Sequence, residues 1–357
     1  MIRRRLLAAA AGSVGLTATW SGWNLAENPT FVAEHQQRAT QHWVQTDDGA
    51  HIWMERYEGD GPAVILCHGI SSNHHFWDLA PDRSLALYLN DQGYDVWNLD
   101  LRGHGPARNH PDGTRQQAGW NVDDYGTHDL PAAFAYVLDQ SNESEVHYVG
   151  HSMGGMVLAI YLSQNSLPPL ASAVAVGSPL DFRDPDLVTD LALKNTWAVS
   201  ALSFVPSPMG AKLIKGFEQT PLGIDDRLFN PGLMSPGARE QMYDRIVSPL
   251  SHGEMMQFGR AARNGEFASA DGSTTYRTSL DDVTTPMLFL AGRADRIAAA
   301  DRVWSYYDAI GSDDKRFVML SEANGFKGDY GHLDFGVSDF AADEVFPLIG
   351  GWIEDHR

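Results

Sequence analysis

Cysteine is almost absent from this sequence: Cys67 is the single one in 357 residues. No intrachain disulfide can form, and no thiolate-based zinc or iron–sulfur site can be assembled. Cys67 lies in the apolar run Ala63–Cys67 and reads as a small buried hydrophobe, with a reactive thiol as the alternative. Basic residues are also scarce, 26 Lys plus Arg against 46 Asp plus Glu, for a formal charge of -20. Such a surface repels phosphate backbones and anionic headgroups, which argues against nucleic acid as a partner. The uncharged stretch from Leu6 to Trp20 falls short of the roughly 20 apolar residues a membrane span needs, and Gly12, Ser13, Gly15, Thr17 and Thr19 dilute it. Internal repeats and low-complexity tracts are missing too.

What is present at the N-terminus is Arg3-Arg4-Arg5 directly before that uncharged stretch, the layout of an export signal and similar to a twin-arginine one. No A-x-A cleavage site closes it, so residues 1–30 are read as a signal peptide or an uncleaved N-terminal anchor. The expected location is exported, periplasmic or secreted, or tethered to the membrane.

Beyond residue 40, short β-rich apolar runs alternate with helical patterns, the signature of an α/β fold with a mostly parallel central sheet flanked by helices. Strands are expected at Ala63–Cys67, Tyr94–Leu99, Val146–Val149, Ala171–Val176, Met287–Ala291 and Phe317–Leu320. Helices are expected at Asp123–Leu138, Ser152–Asn165 and Asp339–Glu354, with Pro347 starting or kinking the last. The rhythm breaks between 181 and 280, where Pro206, Pro208, Pro221, Pro231 and Pro236 separate short amphipathic pieces. Large apolar residues there need something to cover, so the segment reads as an inserted helical cap rather than surface loops. Its stretch Thr196–Phe217, rich in Trp, Phe, Leu and Met, is expected to fold over the site. The resulting division is 42–180 and 281–357 for the core and 181–280 for the cap.

Gly150-His151-Ser152-Met153-Gly154 is a G-x-S-x-G placed between an expected strand and an expected helix. A sharp strand-to-helix turn holds a serine hydroxyl at the carboxyl edge of a sheet, and the small flanking residues permit the tight backbone. A serine hydroxyl is a poor nucleophile near neutral pH, so a histidine must take its proton and a carboxylate must orient that histidine. Among 14 histidines, His332 follows the glycine-rich loop 325–331 after the last strand, where the chain can return to the sheet edge. Asp295 lies just beyond the strand Met287–Ala291, which gives the chain order Ser, Asp, His. Asp181 and Asp334 are the alternative acids. One oxyanion donor is the backbone amide of Met153; the second is assigned to Ile70 in the turn after Cys67, with Gly69 or Ser71 as alternatives. His151 is expected to pack under the serine, while His74, His75 and His104 read as loop residues without metal-ligand spacing. Arg102 is expected to brace the loops around the site.

These segments resemble the α/β-hydrolase superfamily, in particular the acid lipase branch that includes gastric and lysosomal acid lipases and bacterial relatives. The matching residues are Cys67-His68-Gly69-Ile70, Gly93–Trp97 leading into Arg102-Gly103, Asp129–Ala132, Val146–Ser152, Gln257-Phe258, Gly265–Phe267 and Gly331–Phe335. The resemblance implies hydrolysis of small-molecule or lipid esters with apolar acyl groups under a cap. It implies no cofactor; no metal is expected, and the apolar stretch Thr196–Phe217 and the N-terminal segment are where contact with a membrane or lipid interface is expected. It also supports Ser152, Asp295, His332, Ile70 and Met153 in the roles above. Met153 departs from the Gln common after the serine, a change a backbone donor tolerates. A polyester depolymerase and a non-catalytic binding protein of the same fold are the competing functions. Ser152 argues against relatives that carry Cys or Asp at the nucleophile position.

Overall fold

The computed structural model describes residues 38–117, 119–165, 167–183 and 225–357. The segment 1–30 expected to direct export and the whole apolar stretch 196–217, together with the rest of 184–224, lie outside the described residues.

Eight strands form one sheet: β1 (Ala39–Gln45), β2 (His51–Tyr57), β3 (Ala63–Cys67), β6 (Asp95–Asp100), β7 (Val146–His151), β8 (Leu170–Val176), β9 (Met287–Gly292) and β10 (Lys315–Leu320). Their order is β1-β2-β6-β3-β7-β8-β9-β10, and a two-stranded ribbon, β4 (Asp78–Ala80) with β5 (Arg83–Ser84), stands apart. Strands β6 through β10 run parallel, while β2 is antiparallel to both β1 and β6. The fold is therefore the expected α/β layer structure with a mostly parallel sheet.

Strand β3 shows why. All five of its residues are buried, as in a strand covered on both faces. Side chains alternate across a strand, so Val64 and Leu66 enter one core cluster while Ala63, Ile65 and Cys67 enter the other. Helices α2 (Leu130–Ser141), α3 (Met153–Gln164) and α6 (Ala300–Ala309) cover one face; α1 (Leu85–Asn90) and α7 (Phe346–Asp355) cover the other.

Some boundaries differ from expectation. The helix expected from Asp123 to Leu138 is a short turn, Val122–Asp124, a wide turn, Tyr125–Asp129, and then α2. Pro131 supplies no N–H to a preceding carbonyl, which suits the first turn of a helix and not its interior. Pro347 likewise sits in the first turn of α7. Strands β1 and β2 were not anticipated. Their sequences mix polar and apolar residues, and Arg56 of β2 pairs with Asp95 of β6 at 2.8 and 3.0 Å.

Within the segment expected as a cap, helices α4 (Pro236–Arg245) and α5 (His252–Asn264) begin at Ser235 and Ser251, whose hydroxyls accept from Ala238 N and Glu254 N. Phe229, Leu233, Met242 and Tyr243 join one core cluster, and Phe258, Phe267 and Tyr276 join the other. The described parts of the insertion are thus continuous with the core on both faces.

Candidate active site

The register aligns the carboxyl ends of the central strands: Cys67 lies opposite Gly150, His151 opposite Val176, and Val176 opposite Leu290. The turns that follow these strands consequently share one edge. Between β7 and α3 the chain reverses at Ser152, which holds φ 50° and ψ -115°, a conformation sparsely populated for a residue with a Cβ. Ser152 N donates to Val176 O at 2.8 Å, pinning the turn to β8. The flanking glycines are required sterically. A Cβ on Gly150 would lie 2.6 Å from Gly154 C, and one on Gly154 would lie 2.8 Å from the carbonyls of Cys67 and His68.

Ser152 Oγ lies 2.9 Å from His332 Nε2, and His332 Nδ1 lies 2.8 Å from Asp295 Oδ2. A carboxylate only accepts, so Nδ1 carries the proton and Nε2 is left to receive the serine proton. All three side chains are buried. Asp295 Oδ1 accepts from Ile297 N at 2.8 Å and Ala298 N at 2.7 Å, which fixes the carboxylate's rotation. The acid loop is bound to the histidine loop by Ala294 N donating to Tyr330 O at 2.9 Å.

Asp181 is elsewhere. It accepts from Arg183 N and Nε at 2.8 Å and pairs in a bridge with Glu266, at the base of the insertion. Burial raises its carboxyl, but the bonds from Arg183 outweigh that and hold it below the usual range. Asp334 does not meet the His332 ring either; its Oδ2 accepts from Gly331 N at 2.6 Å and Asn230 N at 2.8 Å.

Met153 opens α3, so its amide lies at the positive end of a twelve-residue helix. Ile70 lies in the turn after β3, whose Gly69 would place a Cβ 3.1 Å from Ser152 Cβ. Among the described residues, neither the Ile70 nor the Met153 amide donates to a backbone carbonyl. His68 shapes that turn. Leu101 N donates to its Nε2 at 3.3 Å, so Nδ1 donates to Gly69 O at 2.8 Å. Burial, then the neighbouring His104, push its ring down to about 3, keeping it neutral.

His74 and His104 lie in the connections after β3 and β6, and both are buried. His74 Nδ1 lies 2.7 Å from Asp100 Oδ2, and His104 Nδ1 donates to Ser72 O at 2.8 Å. Arg102 braces Asp48 and Asp129, linking the β1–β2 turn to the start of α2 rather than touching the site. His151 packs beneath the serine as expected, its ring stacked on Phe76 at 3.9 Å. It also does something the sequence does not signal, because its Nε2 donates to the His332 carbonyl at 2.9 Å. Cys67 is fully buried, and burial pushes its thiol up to about 12, which fits the inert reading.

Among the described residues one group could gather ligand atoms around a metal, Asp47, Asp48 and His128, and Arg102 already binds Asp48 there.

The elbow geometry and the sheet order define a class, and the chain belongs to the α/β hydrolase fold family, whose model matches residues 62–335. It is 30% identical over 342 residues to triacylglycerol lipase 1 of Arabidopsis thaliana, covering 86% of this chain and 85% of that one. It is 36% identical to the gastric triacylglycerol lipase of Homo sapiens over 148 residues, 38% of this chain and 36% of the relative. Several other curated lipases align over less than half of their own length. Among solved structures, a thermophilic esterase from Thermogutta terrifontis superposes with a TM-score of 0.60 at 20% identity, covering 89% of this chain and 99% of that one.

Proposed function

We propose that the protein is a serine hydrolase that cleaves carboxylic esters with apolar acyl groups through an acyl-enzyme. The observation that carries this reading is the continuous chain of hydrogen bonds from Ser152 through His332 to Asp295, at 2.9 and 2.8 Å, at the carboxyl edge of the sheet. In this mechanism Ser152 Oγ attacks the ester carbonyl carbon as His332 Nε2 takes its proton. Asp295 keeps the imidazole in the receptive tautomer and offsets the charge it gains. The oxyanion that forms on the carbonyl oxygen is met by the amides of Met153 and Ile70. Collapse breaks the bond to the alcohol, which leaves with the proton from His332; water then repeats the sequence on the acyl group.

The choice of ester rather than another acyl compound rests on similarity, since the relatives are named for triacylglycerol and cholesteryl ester hydrolysis. The apolar acyl preference is assigned to the insertion 181–280, which acts as a cap on the core formed by 42–180 and 281–357. Residues 1–30 are assigned to export or membrane attachment. Among the described residues no helix is long and apolar enough to cross a membrane.

The test is a chain-length series of simple esters alongside an emulsified triglyceride, run on the wild type and on Ser152→Ala. Medium or long acyl chains should exceed acetate in kcat/KM, and the variant should keep its fold while losing on the order of 10⁶ in rate. Near-normal turnover by folded Ser152→Ala would remove the nucleophile assignment.

A further inference from the structure

The loop that carries His332 is joined to the insertion by one backbone pair and one side-chain bond. Leu333 N donates to Leu228 O at 2.7 Å, and Asn230 Nδ2 donates to Asp329 O at 2.8 Å. The approach is closest at Gly331, where a Cβ would lie 2.8 Å from Phe229 Cα. At the centre of this seam stands Asp334. One of its oxygens, Oδ2, receives both Gly331 N and Asn230 N, at 2.6 and 2.8 Å, across a sequence separation of 104 residues for the second. The side chain is fully buried, and Oδ1 has no hydrogen-bond partner among the described residues. Burying a carboxyl with one oxygen unsatisfied is costly, and packing alone would be served better by an apolar residue.

The placement suggests what the residue does. His332 is held from three sides: its ring by Asp295, its carbonyl by His151 Nε2 at 2.9 Å, and the amide of Gly331, the residue before it, by Asp334. Removing the last of these loosens the N-terminal side of the backbone on which the imidazole is mounted. We propose that Asp334 is a positioning residue that fixes the His332 backbone against the insertion segment Leu228–Asn230 and so sets the distance from Nε2 to Ser152. This rests on the reading of Ser152 and His332 as nucleophile and base. The acceptor oxygen is the working part, because two amides share it. A misplacement of about 1 Å at such a base can cost on the order of 10²-fold in rate.

The experiment uses the full chain and two readouts, the rate at which a fluorophosphonate labels Ser152 and the kcat and KM on a medium-chain ester. Asp334→Ala should fold, as judged by circular dichroism, and lose on the order of 10²-fold in both labelling rate and kcat, with KM changed by less than about threefold. Asp334→Asn retains an oxygen that can accept from both amides and should recover most of the lost rate. A folded Asp334→Ala labelled as fast as wild type overturns the proposal, as does an Asn variant no better than the Ala one. Where the Ala variant does not fold, Asp334→Glu takes its place. It keeps the charge but shifts the acceptor by one carbon–carbon bond, so the same loss in kcat is expected, and an unchanged kcat overturns the proposal. Failure of the underlying reading looks different: wild type itself would not be labelled at Ser152.

Discussion

Two carboxylates follow core strands near the serine, and their surroundings assign them different work. Asp295 has one oxygen on the His332 ring and the other on two backbone amides, so it can only hold the imidazole in one orientation. Asp181 is committed to Arg183. Accordingly, Asp295→Asn should lower kcat/KM by about 10⁴, the loss seen when a triad histidine is left in the wrong tautomer, while Asp181→Asn should stay within about tenfold of wild type. A steady-state comparison of the two variants settles the ranking, and the reverse order would move the acid to Asp181. Asp334 carries a separate prediction. Burial first, then the charge of Asp295, raise its carboxyl to about 7, against the opposing amides of Asn230 and Gly331 and the nearby His332. A carboxyl whose folded value lies above its unfolded one favours the folded state at low pH, and that contribution is lost as pH rises through about 7. The Asp334→Asn variant has no such loss, so its urea midpoint relative to wild type should shift upward between pH 5 and pH 8. A difference between the two proteins that stays constant with pH would contradict this account.

At the scale of elements, the insertion behaves in its described parts less like a detachable lid than like an extension of the core. Phe267 is fully buried, with ring centroids 6.2 Å from Phe182, 6.0 Å from Phe258 and 5.4 Å from Tyr276. Tyr276 in turn donates to Asp123 Oδ1 at 2.7 Å, and Gln257 Oε1 receives Val122 N at 2.9 Å, tying α5 to the start of the α2 region. Truncation at the centre of such a cluster leaves a cavity. Phe267→Ala should therefore cost about 3–5 kcal/mol in equilibrium unfolding. A loss below about 1 kcal/mol would mean that the aromatic group rests on the core without supporting it. The same cluster explains what could be read in advance. Gln257-Phe258 and Gly265–Phe267 stood out in the sequence as matched segments, but the rings they bring together lie too far apart in the chain for any local pattern to join them. Strands β1 and β2 escaped notice for another reason. β1 is an edge strand and only Val44 in it is buried, while buried Glu55 and the Arg56–Asp95 pair interrupt β2, so neither offers the apolar run that marked the central strands.

At the scale of the whole molecule, the fold brings to one sheet edge residues from four distant places: the turn after Cys67, Ser152, Asp295 and His332. That convergence was legible because parallel strands must end on the same side, and the order of serine, aspartate and histidine along the chain fits the crossovers between them. The seam between Asn230 and Asp334 was not legible, since it depends on how the insertion folds back across 104 residues. The burial of His74 and His104 was not legible because nothing in a short loop sequence distinguishes a side chain pointing inward from one in water. The central claim is that Ser152 becomes acylated, and the most direct measurement is mass spectrometry of the full chain after reaction with a slowly deacylating carbamate ester. A single carbamoyl group on the peptide containing Ser152, appearing at the rate at which ester hydrolysis is lost and absent from Ser152→Ala, is the result expected. Hydrolysis that persists after Ser152 is fully modified, or inactivation with the adduct on another residue, would contradict it.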